Sequence, residues 1–112
     1  MKRVNITLEQ KSYSIREEIR ALRTNLQFCG DDKQVIMMTS CLPGEGKTSV
    51  SIELTEAIAD MGKTVILVDA DMRKSVMASR LKVSEVDKGL SHFLSGQCTL
   101  AEAIVATNVP KM

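Results

Sequence analysis

The stretch TSCLPGEGKTSVSIEL, residues 39–54, decides how the rest of the chain is read. Two glycines flank a glutamate, a lysine and a threonine follow, and the next residues have helical character. Immediately upstream lies VIMM (residues 35–38), a short continuous apolar run of the kind that forms a strand buried on both faces of a parallel sheet. A loop that leaves such a strand and opens a helix is suited to holding phosphate. Its amides converge on the anion, and the helix dipole favours negative charge at that end. Gly44 and Gly46 permit backbone angles that other residues resist and leave room for phosphate oxygens. Pro43 has no amide hydrogen, so the donors are expected from Gly44 through Thr48. Lys47 is placed to reach the β- and γ-phosphates and the Thr48 hydroxyl to ligate magnesium. Glu45 need present only its backbone, its side chain turning to solvent. Against the pattern G-x-x-x-x-G-K-[ST], Cys41 replaces the first glycine and reads as a small packing residue. A glycine turn with no ligand is the bland alternative, and the strand-before, helix-after context outweighs it.

Downstream, residues 47–61 read as a helix with Val50, Leu54, Ala57, Ile58 and Met61 on its inner stripe, and Gly62 as its left-handed cap. TVILV (residues 64–68) reads as a second buried strand, ending on DADMR. Strand, helix and strand make a right-handed βαβ unit. Ligands of open α/β sheets sit at the carboxyl ends of strands, so Asp69 and Asp71 are expected beside the phosphate loop. Alternation along an extended chain turns both carboxylates to one side. There they can organise magnesium, or one can accept a proton from an attacking hydroxyl. A lone acidic turn would default to a solvated loop; its spacing from the upstream loop favours the site. Arg73 is equally suited to steadying phosphate charge and to pairing with the aspartates.

Upstream, residues 14–28 place Ile15, Ile19, Leu22 and Leu26 on one helical stripe, with Ser14 and Glu17 in capping-box positions, and GDDK (residues 30–33) as a turn. Residues 1–13 are read as a flexible lead. Beyond residue 75, short helices are expected at 76–80, 90–94 and 100–106, with no third strand. Composition bounds the rest. The 112 residues suit one domain or part of one, with 44% hydrophobic residues and no apolar run of membrane-spanning length. Fifteen basic against 14 acidic residues and 3% aromatics give no support for nucleic-acid binding. Cys29, Cys41 and Cys98 lack metal-ligand spacing and suit reduced thiols in a cytosol. His92, alone in an expected helix, reads as a packed or surface residue, and the seven methionines as core filling.

The loop, DADMR and the first helix together resemble the bacterial tyrosine kinases of capsule and exopolysaccharide operons, in their cytoplasmic form. In that family TSCLPGEGKT is similar to the Walker A motif and D-x-D-x-R to Walker A′. Glu17, Arg20 and Arg23 match E-x-x-R-x-x-R on the first helix, and GLSHFLSGQCTLAEAI (residues 89–104) is similar to the segment after Walker A′. The resemblance implies a P-loop NTPase-type parallel sheet flanked by helices, a single domain with its nucleotide-binding portion in residues 35–112, and ATP- and Mg2+-dependent phosphorylation of protein tyrosines. It implies Lys47, Asp69 and Asp71 as catalytic residues, with Asp71 preferred for metal beside Thr48 and Asp69 for the proton. It implies Pro43, Gly44, Glu45, Gly46, Lys47, Thr48, Ser49 and Arg73 at the nucleotide. Glu17, Arg20 and Arg23 are implied as the subunit contact of a homo-oligomeric ring, although by spacing alone they would simply form intrahelical salt bridges. A membrane polysaccharide co-polymerase is implied as the activating partner that recruits the protein to the inner face of the membrane. Departures are Ser75, where the family usually has proline, and the family's Walker B strand and tyrosine cluster, which the sequence does not contain, so a fragment of the domain is expected. Tyr13, the only tyrosine, reads as a packing or surface residue. ParA/MinD-type ATPases are the nearest enzymatic rival, but they carry lysine where Leu42 stands. A non-catalytic, ATP-gated partner of the co-polymerase is the rival from another class.

Overall fold

The computed structural model describes residues 2–39, 46–71, 77–83 and 88–112. The chain forms two compact units, one of Gln10–Leu67 with Lys111, the other of the residues before Gln10 with Val68–Pro110 and Met112.

The first unit is a pair of helices. α1 (Tyr13–Phe28) starts at Ser12, whose hydroxyl accepts the Ile15 amide at 3.4 Å. The expected Ser14–Glu17 capping box therefore does not form. The helix begins one residue earlier, and Glu17 turns to Arg20 instead. At its far end Gly30 adopts φ +109°, closing the turn read from GDDK with a Lys33 amide to Gly30 carbonyl bond of 3.2 Å. α2 (Lys47–Asp60) packs against α1. It buries Ile52, Leu54, Thr55 and Ala59. Of the stripe expected from sequence only Leu54 is fully buried; the rest of it is half-buried, the buried face being rotated toward Ile52, Thr55 and Ala59. A hydroxyl can occupy that face because Thr55 Oγ1 donates to the Ser51 carbonyl at 2.7 Å, leaving no unpaired polar atom. Gly62 ends the helix with φ +86°, as its sequence position predicts.

The second unit contains the sheet. β1 (Lys2–Val4), within the segment read as a flexible lead, pairs in parallel with β2 (Val105–Thr107) in the register Lys2↔Val105 to Val4↔Thr107. Val4, Ile6 and Leu81 are buried. The strand is extended by side-chain and loop bonds: the Ile6 amide donates to Asn108 Oδ1 at 2.7 Å and the Thr7 amide to the Leu81 carbonyl at 2.8 Å. α3 (Met77–Arg80), α4 (Leu90–Leu94) and α5 (Leu100–Ala103) are single turns or little more. α4 has the bounds read from sequence. α5 stops short of the expected Ala106 because Ile104 is extended, φ −92° and ψ 134°, and β-branched Val105 and Thr107 continue it as a strand paired with β1. Its start is a capping box in which Thr99 accepts the Glu102 amide and Glu102 accepts the Thr99 amide.

The two strands expected from VIMM and TVILV are absent as regular structure. Val35 is 93% exposed, Met37 82%, Ile66 62% and Val68 61%. A parallel strand is stabilised only when neighbours complete its hydrogen bonds and layers cover both faces. Apolar content marks a segment fit for that position, and among the described residues Val35, Met37 and Ile66 stay largely uncovered.

Candidate functional site

The first unit holds the front of the glycine loop. Gly46 is the N-cap of α2 in the left-handed region, φ +81° and ψ 13°, and its carbonyl accepts the Val50 amide at 2.9 Å. A Cβ at this position would meet no atom within 4 Å, so glycine is demanded by backbone angle, while the space beside it stays open. Among the described residues no side chain caps the helix start, and no acidic residue lies in its first turn. The first amides of an α-helix have no intrahelical acceptor, and the positive end of the dipole favours an anion there. Lys47 is the first helical residue and exposed; Thr48 and Ser49 are half-buried beside it. Ser51 fixes the turn below by donating to the Lys47 carbonyl at 2.7 Å. A left-handed glycine, an exposed lysine and a hydroxyl on one open helix end fit a polyphosphate. Cys41, Leu42, Pro43, Gly44, Glu45, Arg73, Ser75 and Val76 lie outside the described residues.

Asp69 and Asp71 belong to the second unit. The Asp69 carboxylate accepts the Asp71 amide at 3.1 Å, a local turn that fixes the half-buried Asp69 and presents Asp71 at the surface. Among the described residues no three His, Cys, Asp or Glu side chains gather into a metal cluster.

The motif on α1 divides. Glu17 and Arg20 pair at 2.9 Å on the surface, a contact of the kind that contributes little to stability. Arg23 points the other way. Its Nη1 donates to the Ala57 carbonyl of α2 at 2.7 Å, and its Nε is buried with no hydrogen-bond partner. A second bridge, missed in the sequence, joins Lys11 to Glu53 of α2 at 3.1 Å, with 25% and 13% of the side chains exposed. Glu53, Glu56 and Asp60 recur at helical spacing, which was the available signal for an acidic face. Burial raises the Glu56 carboxyl above its usual range, and the neighbouring Asp60 and Glu53 charges add to it. Glu102 shifts the opposite way, held down by the Thr99 amide and by Lys88. His92 Nδ1 accepts the Gly89 amide at 3.1 Å, a structural use of the ring. Cys29 and Cys98 are free thiols.

Among the described residues no helix is long and apolar enough to cross a membrane. A family model described as an AAA domain matches residues 33–112. The tyrosine-protein kinase CpsD of Streptococcus agalactiae is 41% identical over 96 residues, covering 86% of this chain and 42% of that protein. The tyrosine-protein kinase YwqD of Bacillus subtilis is 36% identical over 94 residues, 82% of this chain and 39% of that protein. The tyrosine-protein kinase etk of Escherichia coli is 34% identical over 101 residues, 88% of this chain and 14% of that protein. The chain thus spans about two fifths of the length of the first two and much less of the third.

Proposed function

Because the chain belongs to the AAA domain family and is similar over most of its length to bacterial tyrosine-protein kinases, we propose that it is the nucleotide-binding part of an ATP-dependent protein-tyrosine kinase acting in capsular or exopolysaccharide synthesis. The observation that carries the reading is the open amino end of α2, where left-handed Gly46 precedes Lys47 and Thr48. In this reading the amides from Gly44 through Thr48 hold the phosphates, with Pro43, Glu45 and Ser49 lining the loop. Lys47 offsets charge on the transferring phosphoryl group. Thr48 and Asp71 would hold magnesium, which would supply neutralisation of phosphate charge. Asp69 takes the proton of the attacking tyrosine hydroxyl, and Arg73 steadies phosphate charge. Glu17 and Arg20 offer a subunit contact for a homo-oligomeric ring. A membrane polysaccharide co-polymerase is the activating partner, met from the cytoplasmic side.

The test uses labelled ATP, magnesium and a tyrosine-containing acceptor polymer, with Lys47→Met beside the parent protein. Phosphotyrosine that forms with the parent and falls by orders of magnitude in the variant supports the kinase. ATP binding with no transfer to tyrosine would instead favour a regulatory, ATP-gated partner.

A further inference from the structure

We propose that Arg23 is an internal positioning residue, capping the carboxyl end of the helix whose amino end is assigned to nucleotide phosphate; the inference rests on that assignment. The last four carbonyls of a helix lack intrahelical donors, and in α2 Ala57 is the first of these. The Met61 amide bonds to Ile58 at 3.2 Å, and Arg23 Nη1 reaches the Ala57 carbonyl at 2.7 Å. A cation belongs at this end by the dipole. The last turn of α2 supplies no basic residue, and Glu56 and Asp60 crowd it with negative charge. The stabilising charge therefore comes from α1. The same guanidinium is committed inward through its buried Nε, whereas Glu17 and Arg20 satisfy each other on the surface. So the three residues of E-x-x-R-x-x-R do different work. Two are available to a neighbouring copy, and the third fixes where α2 lies against α1, and with it the placement of Lys47 and Thr48.

The experiment compares the parent chain with Arg23→Ala, Arg23→Lys and, as an exposed α1 control, Arg16→Ala. Amide hydrogen exchange across residues 57–62 is read without nucleotide at two protein concentrations, one at which the chain is monomeric. ATP affinity is read by titration with magnesium chloride present. In Arg23→Ala, exchange in this segment rises up to about tenfold at both concentrations, within the range that a favourably placed, partly buried cation at a helix end reaches. ATP affinity falls several-fold. Arg23→Lys restores most of both, because an ammonium also meets a helix carboxyl end, and Arg16→Ala matches the parent. Exchange unchanged in Arg23→Ala, or changed only where the chain associates, overturns the internal role. Faster exchange with unaltered ATP affinity overturns the positioning role. Should Arg23→Ala not fold, Arg23→Lys against the parent decides on the same criteria: protection lost in it, although the charge is kept, overturns the cap. A parent that binds no ATP yet shows the Arg23 effect removes the phosphate-loop assignment and leaves the cap standing.

Discussion

Gly46→Ala isolates the backbone requirement of the phosphate loop. At φ +81° a Cβ would find no atom within 4 Å, so the substitution adds conformational strain and no clash. An L-residue other than glycine in the left-handed region costs about 1–2 kcal/mol. Alanine also restricts the unfolded chain, which offsets about 0.4–1 kcal/mol of that. The expected net loss is about 1 kcal/mol, or about 4–8 °C in Tm for a domain near this size. Asparagine tolerates the left-handed region better, so Gly46→Asn should lose less than alanine despite its larger side chain. Urea melts followed by circular dichroism measure the difference, with unchanged m-values confirming that the unfolded state has not shifted. If alanine stabilised the chain, or if asparagine proved worse than alanine, residue 46 would not occupy the left-handed region and the geometry proposed for the loop would fail.

Four further outcomes are expected. Gly30→Ala places a Cβ 2.6 Å from the movable Asp32 Oδ1 at φ +109°, so it should destabilise more than Gly46→Ala in the same urea melts, and adding Asp32→Ala should recover only the steric part. Thr55→Val keeps the buried branched shape while the Ser51 carbonyl loses only a hydroxyl donor, so stability should stay within about 0.5 kcal/mol of the parent by thermal melt. The Glu56 carboxyl is raised by burial and two acidic neighbours, so its ionisation opposes folding: its unfavourable effect is absent below the ordinary carboxylate range and sets in as pH rises through and above it. Glu56→Gln should therefore stabilise at neutral pH and not at strongly acid pH, whereas Glu102, lowered by the Thr99 amide and Lys88, contributes stability above the ordinary range that is lost as pH falls through its depressed value. Exposed Val35 and Met37 should make the 112-residue chain prone to association, and Met37→Lys should raise the concentration at which light scattering appears.

Helices were legible where their signals were local. The bounds of α4 and the Gly62 stop follow from residues within a turn or two of each end. The N-cap of α1 was misplaced by two residues because Ser12 and Ser14 are chemically equivalent caps, and only the backbone selects between them. The phosphate-loop reading anticipated a glycine that must be glycine at position 46, and the angle there agrees. Pairing was illegible. Nothing local tells KRV at the amino end that VAT, about a hundred residues later, is its parallel neighbour. The division of the α1 motif was hidden for the same reason, since Arg23 is defined by a carbonyl 34 residues away.

That contrast bears on how the proposed site is built. A helix cap is fixed by bonds within four residues, so Gly46, Lys47 and Thr48 adopt their arrangement while Val35, Ile36 and Met37 before them remain exposed and outside any strand. The acid pair after TVILV is likewise fixed locally, by the Asp69 carboxylate and the Asp71 amide. Each half of the proposed site thus has its own short-range scaffold. What a completed parallel sheet would add is register: strands about 4.8 Å apart whose carboxyl ends present both halves at one edge. Substitutions inside either half should alter nucleotide affinity, while substitutions that expose or cover residues 35–38 and 64–68 should act on how the halves are brought together. Ordering of those two segments on addition of ATP and magnesium, seen as exchange protection of Ile36 and Ile66 that Lys47→Met abolishes, would join local geometry to catalysis; protection unchanged by nucleotide would separate them.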